Sequence, residues 1–306
     1  MSQAPSSILM VGPNHFGYNQ ETAQSNVFQK KILICDNHNI TKDAIREFED
    51  FVNLLRKHQI DVNVFDSPKD KQAPDAVFPN NWISFHEDGT VILYPMLTKN
   101  RRIERRPEIV DELSNDFLVN EIIDLTSEEQ NGKILEGTGS IVFDHINKIA
   151  YANESARTNK NLFYDVCLQL GYEGVFFKAV DGQGADIYHT NVLLTIGDGF
   201  AVICKECIDK ADVSTVINSL QASRLEVLEI SYDQMHHFVG NMIQVQSKGG
   251  KNYLVMSDSA LKYLYEDQID ILSKYGNFIH ADVKTIESIG GGSARCMIAG
   301  IHLKRK

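Results

Sequence analysis

Cys296 stands directly after a glycine-rich run, GGGSARCMIAG (290–300), at the start of an apolar stretch. Glycines let backbone approach a ligand closely and adopt dihedrals closed to other residues. Loop N–H groups near such a cysteine favour its thiolate, the form that attacks carbon. A second glycine-bearing loop, DGQGADIYHTNVLL (181–194), delivers His189 to the start of an apolar strand. A reference pKa of about 6.5 makes histidine a proton carrier at neutral pH. Glu136, in ILEGTGSIVF (134–143), lies between apolar residues and a glycine turn. A carboxylate there can accept N–H bonds from a cationic or amide substrate. Asn80 and Asn81, in AVFPNNWISF (76–85), follow Pro79 and precede a strand, and turn chemistry alone accounts for such a pair. Read singly, the other three motifs also fit a buried core cysteine, a satisfied histidine and an exposed strand-end glutamate.

Other candidates carry less. Cys204 and Cys207 have C-x-x-C spacing, but no second pair lies at zinc-site distance. His236 and His237 are adjacent, so on a strand their side chains diverge. The dense basic run RRIERR (101–106) reads as a solvated helix start.

The elements that must position these residues repeat. Apolar residues at three-to-four spacing predict helices near 41–58, 104–117, 158–170, 208–221 and 259–275; Ile45, Phe48, Val52 and Leu55 show the pattern. A short β-like run follows each: IDVNVF (60–65), VNEIID (119–124), YEGVFF (172–177), LEVLEI (225–230) and NFIHAD (277–282). β-like pairs precede most of the helices, namely WISF with TVILY, GSIVF with KIAYA, VLLTI with FAVIC, and NMIQV with NYLVM. The unit is strand, strand, helix, strand, about five times over, with a period of about 50 residues that suggests a propeller-like array. An ordinary α/β sandwich with coincidental spacing is the alternative. No Pro-, Gly- or Ser-rich linker divides the chain, so 1–306 reads as one domain.

Composition excludes some partners. Hydrophobic residues make up 43% and charged residues 23% of 306, an ordinary globular balance. A formal net charge of −11 repels phosphate backbones and anionic membranes, which argues against nucleic acid. No apolar run approaches bilayer length, and the start MSQAPSSILM lacks the basic and apolar regions of a signal peptide. Five irregularly spaced cysteines, Cys35, Cys167, Cys204, Cys207 and Cys296, argue against a disulfide framework. A cytoplasmic protein is therefore expected.

Together and in this order, the four motifs resemble those of the guanidine-modifying hydrolases and amidinotransferases, with the bacterial branch called arginine deiminase-related or citrulline utilization hydrolase the nearest match. The resemblance runs from ILMVGPNHFGYN (8–19) to the last strand. It implies a pentein fold: α/β, five ββαβ units around a pseudo-fivefold axis with a central site. It implies Cys296 as nucleophile, His189 as acid/base and Glu136 as a catalytic substrate-binding carboxylate. Asn81 falls where the family has the aspartate of a Phe-x-x-Asp motif, and Asn191 where it has that of His-x-Asp. A substrate carboxylate falls to Arg101 or Arg102, and to Arg157 in Ser155-Ala156-Arg157-Thr158. No metal or organic cofactor is implied. The expected partner is a small amino-acid substrate, with homo-oligomer formation left open.

The departure at Asn81 and Asn191 has a direction. Ionised aspartate only accepts hydrogen bonds, whereas asparagine donates and accepts without charge. Leaving a buried cation without its carboxylate costs roughly 3–5 kcal/mol. A neutral ureido group, with a carbonyl seeking donors and an NH₂ seeking acceptors, suits asparagine better, so citrulline is expected over arginine. Asp186, three residues before His189, is the carboxylate able to restore a charge by entering the site. The alternatives are an arginine deiminase- or dimethylarginine dimethylaminohydrolase-like hydrolase, an amidinotransferase, and a non-catalytic pentein-fold binding protein.

Overall fold

The computed structural model describes residues 2–26, 28–29, 37–68 and 70–306, so Cys35 lies outside the described residues. The first helix shows how the pattern works. The helix Asn37–Lys57 buries Ala44, Phe48, Phe51, Val52 and Leu55, one stripe at helical spacing. Burying side chains of this size contributes about 1.5–3 kcal/mol each. The helix Lys160–Leu170 is bounded by local chemistry. The Asn159 side chain accepts the Leu162 N–H at 3.0 Å, and Gly171 ends it at φ 69°.

Among the described residues, fifteen strands fall into units of one topology. β1 (Ser7–Val11) runs parallel to β2 (Asp61–Phe65). β3 (Ile83–Phe85) and β4 (Thr90–Leu93) are antiparallel, and β4 is parallel to β5 (Glu121–Asp124). The pattern recurs in β6 (Val142–Asp144), β7 (Ile149–Asn153) and β8 (Glu173–Phe177). It recurs again in β9 (Leu194–Gly197), β10 (Phe200–Ile203) and β11 (Glu226–Glu229). β12 (Ile243–Gln246), β13 (Asn252–Ser257) and β14 (Asn277–Ala281) form another. β15 (Ala299–Ile301) pairs antiparallel with β1 and completes the first unit from the other end of the sequence. Each parallel pair needs a long crossover, and the helices supply it.

The sheets are thus mixed. One has six strands, in the order β2-β1-β15-β3-β4-β5, because β15 also pairs with β3 at Ile301 and Phe85; the other three have three strands each. The first strands are buried, whereas β5 is largely exposed. Two expected helices differ. The 104–117 segment is a 3₁₀ helix, Lys99–Glu104, followed by Pro107–Leu113, because Pro107 lacks an N–H and starts a helix well. The 259–275 segment is two helices, Asp258–Tyr263 and Glu266–Leu272, the second opened at Tyr265, whose N–H is accepted by Gln268 Oε1 at 3.0 Å. RRIERR is not a uniformly solvated start: Arg101 and Glu104 are buried and paired with each other. Among the described residues no helix is long and apolar enough to cross a membrane.

Candidate active site

The turn leading into the first strand of a unit is where the chemistry collects. Asn81 ends the 3₁₀ helix before β3, Glu136 precedes the short helix before β6, and His189 and Asn191 flank the start of the one before β9. Asn241 precedes β12 and Cys296 precedes β15. Sequence positions up to 215 residues apart, Asn81 and Cys296, therefore line one small cavity, together with Arg101, Arg157 and His189.

Glu136 is fully buried, and its Oε2 accepts from Arg157 Nη1 at 3.1 Å and meets His189 Nε2 at 2.8 Å. Its Oε1 accepts the Leu97 N–H at 3.0 Å. Burial opposes its ionisation, but Arg157 and His189 outweigh that and hold the carboxyl well below the usual range. Burial pushes the His189 imidazole down to about 4, against the pull of Glu136. The ring is therefore neutral at pH 7. With Nε2 donating to a carboxylate, Nδ1 is the nitrogen left to take or deliver a proton.

Cys296 is 3% exposed. The Nδ2 groups of Asn241 and Asn191 lie 3.3 Å and 3.6 Å from its sulfur. The loop glycines do not leave it a resting thiolate. Burial pushes the thiol up, and the Ser293 backbone, Asn241, Arg295 and Asn191 only partly offset this. The preceding loop is held from several sides. Tyr188 Oη and Asn26 Nδ2 donate to the Gly291 carbonyl at 2.7 Å and 3.2 Å, and Ser293 Oγ donates to Glu287 at 2.6 Å. Gly291 sits at φ 66°, where a side chain would be strained.

Arg101 is buried and donates to Glu104 through Nε and Nη2 and to Asn81 Oδ1 at 2.9 Å through Nη1. Burial disfavours its charge, but Glu104 and Asp75 keep it cationic. Arg157 donates to Ser25 as well as Glu136. Arg102 is placed elsewhere: it donates to the Met96 carbonyl, meets Glu129 at 3.0 Å and does not line the cavity. Asp186 does not enter the site either; it is exposed and bridges Val180 at the surface. The carboxylate that does line the cavity is Asp75. Its Oδ2 accepts from Asn19 at 2.7 Å and Thr22 at 3.2 Å, while Oδ1 is buried without a partner among the described residues. Asp75 and Asn241 were not singled out by sequence. Asn241 carried a signal, since it stands two residues before β12 as Asn81 stands two residues before β3.

The arrangement brings together a thiol, a neutral imidazole backed by a carboxylate, two guanidinium groups and amides beside the sulfur. That set suits covalent transfer of a carbonyl- or amidine-type carbon. The cavity, about 20 Å³, has room for about one water. Thr22, Ser25 and Asn26 close over it through the contacts to Asp75, Arg157 and Gly291.

Comparison with known proteins gives the same direction. No curated protein matches the chain. Solved structures share the fold. The N-terminal domain of ArgZ, an arginine dihydrolase from the ornithine–ammonia cycle in cyanobacteria, was solved as a cysteine-to-serine variant bound to substrate. It is 16% identical, with a TM-score of 0.74 over 98% of this chain and 97% of that one. AgrE in a ternary complex with ornithine and NAD⁺ is 17% identical, with a TM-score of 0.73 over 96% of this chain but only 39% of that one. DDAH from Pseudomonas aeruginosa, a cysteine-to-serine variant complexed with citrulline, is 14% identical, with a TM-score of 0.65 over 99% and 100%. A family model described as N,N dimethylarginine dimethylhydrolase, eukaryotic, matches residues 12–303, nearly the whole chain. The chain therefore belongs to the N,N dimethylarginine dimethylhydrolase family, C–N bond hydrolases of the guanidino-modifying superfamily.

Proposed function

We propose that this protein hydrolyses the ureido group of citrulline, giving ornithine, ammonia and CO₂ through a covalent intermediate on Cys296. The observation that carries this reading is the set of neutral amides at the reacting end. Asn191 and Asn241 lie at the sulfur and Asn81 lines the same cavity. A neutral carbonyl and NH₂ find donors and acceptors there without a stranded charge.

In the first half, the Cys296 sulfur bonds to the ureido carbon, its proton passes to His189, and a C–N bond breaks as that proton is delivered to the leaving nitrogen. In the second, His189 takes a proton from water, whose oxygen attacks the same carbon and displaces the sulfur. Loss of CO₂ from the resulting carbamate frees the remaining amine. Proton transfer of this kind contributes about 10²–10⁴-fold. Arg157 and Arg101 supply the positive side of the cavity for the α-carboxylate, and the unpaired Oδ1 of Asp75 is an acceptor for the α-ammonium. An amino acid exceeds the closed cavity, so the Thr22–Asn26 cover gives way on binding. We also read the five strand units as blades of an α/β propeller around one axis, and 1–306 as one catalytic domain.

The family description favours a second reading, hydrolysis of a guanidinium in arginine or a methylated arginine. Incubation with citrulline, arginine and dimethylarginine, followed by assay of ornithine, citrulline and ammonia, separates the two. Ornithine from citrulline is expected, and its loss in Cys296→Ala with the melting temperature preserved. Citrulline left inert while arginine is consumed contradicts the ureido reading.

A further inference from the structure

Beyond the turns that carry the active site, the first strands enclose a second cavity of about 60 Å³. Residues of β3, β6, β9, β12 and β15 all line it, and it runs along these strands from Thr138 and Arg295, beside the active-site turns, to His86, His145 and His302, past the other ends of β3, β6 and β15. Its polar lining is unusual for a chain of net charge −11. Arg295, His86, His145 and His302 line it and no Asp or Glu does.

The Arg295 side chain is partly buried. Its only hydrogen bond among the described residues runs from Nη1 to the Ile298 carbonyl at 2.9 Å, and no described carboxylate pairs with it. A guanidinium removed from water without a counter-charge is costly unless an anion completes it. His302 has no hydrogen-bond partner among the described residues, and its ring lies 4.0 Å from that of His145, centroid to centroid. His145 uses Nδ1 on Tyr172 Oη, which leaves Nε2. His86 is buried, with Nε2 on Ser84 Oγ and Nδ1 unpaired. The neighbouring polar side chains are spent. Gln3 donates to two carbonyls and Thr195 to another two.

We propose that this cavity binds a small inorganic oxyanion, of phosphate or carbonate size, held by Arg295 with His302 and His145. The fork of Arg295 matches two oxygens, and the imidazole N–H groups supply further donors. The volume holds about four waters at the usual allowance, enough for such an ion and too little for an amino acid. Burial keeps His86, at about 4, neutral at pH 7, and burial with the nearby His86 and Arg295 does the same for His302, at about 3. The positive charge is then that of Arg295 alone, which selects an anion over a metal cation. Among the described residues no group of three His, Cys, Asp or Glu side chains is arranged to hold a metal ion.

The test is isothermal titration of the full chain with sodium phosphate and, separately, sodium bicarbonate at constant ionic strength. One equivalent of phosphate or bicarbonate should bind. Arg295→Met should weaken binding by about tenfold or more, the loss of a charge-assisted contact. His302→Asn, at a residue with no hydrogen bond to lose, should weaken it several-fold and serves if Arg295→Met fails to fold. Binding should survive Cys296→Ala and, in that inactive variant, should also survive saturating citrulline, which separates it from anion binding at Arg101 and Arg157. No binding of either anion at 10-fold above millimolar concentration, binding unchanged by the substitutions, or displacement by citrulline would overturn the proposal. None of these outcomes depends on which substrate the active site turns over.

Discussion

Nε2 of His189 lies 2.8 Å from Oε2 of Glu136, an oxygen that also accepts from Arg157, and neither side chain is more than 2% exposed. One carboxylate oxygen thus fixes the orientation of the proposed acid/base and neutralises the guanidinium. Glu136→Gln keeps the shape and removes the charge. The Arg157 guanidinium then lacks its counter-charge, and the imidazole Nε2 faces an amide. A fall in kcat of about 10²-fold or more is expected. Removing one partner of a buried pair should also lower stability by about 3–5 kcal/mol. Initial rates and urea melts measure the two effects, and an unchanged kcat would remove Glu136 from the mechanism.

The same pair makes a pH prediction. His189 must be neutral to accept the Cys296 proton, and its folded-state value is pushed down to about 4. The neutral form is therefore present above pH 4 and is lost as pH falls through it. The acid limb of kcat/KM should inflect near about 4, not at the ordinary histidine value of about 6.5. Buffer-matched initial rates from pH 3.5 to 8 resolve the alternatives. For stability the sign is the same: an unfolded His189 binds its proton at higher pH than the folded one, so this residue's contribution declines as pH drops from about 6.5 to about 4.

Gly139 is close to two site residues at once. A Cβ there would fall 2.5 Å from Asn81 Nδ2 and 2.7 Å from His189 Nδ1. Gly139→Ala must displace one of them, the nitrogen left for proton transfer among them. The expected result is a drop in kcat of at least about tenfold, with a stability cost of about 1–3 kcal/mol from overpacking. Comparing kcat with the thermal midpoint shows whether the site moves more than the fold.

Substrate charge rests on the asparagines. In Asn81→Asp/Asn191→Asp, carboxylates replace amides at the reacting end. The ratio of kcat/KM for citrulline over arginine should fall by about 10²-fold, the scale set by a buried cation gaining its counter-charges. A ratio that stays constant would mean that these side chains do not read the charge of the reacting group. Arg101 donates to Asn81 Oδ1, so the single variants need separate measurement.

By itself the sequence determined the repeating strand, strand, helix, strand unit and pointed to three candidate site residues. Both are local. Helical and strand periodicity are written into short windows, and Cys296, His189 and Glu136 each lie beside glycines that mark a backbone turn. Tertiary structure alone decided the rest, because it depends on which turns converge. Arg101 and Arg102 are neighbours, yet a 3₁₀ turn separates them by about 120°, and only Arg101 faces inward. Asp75 rather than Asp186 became the carboxylate of the cavity, since the 181–186 loop stays at the surface while Asp75 is enclosed by Asn19, Thr22 and Arg101. Asn241 lies 3.3 Å from the sulfur although β12 and β15 belong to different sheets, a proximity that no local pattern contains. The protonation of Cys296 was decided in the same way. Glycines in the loop point toward a thiolate, but desolvation by the packed units wins, and the thiol waits for substrate and His189.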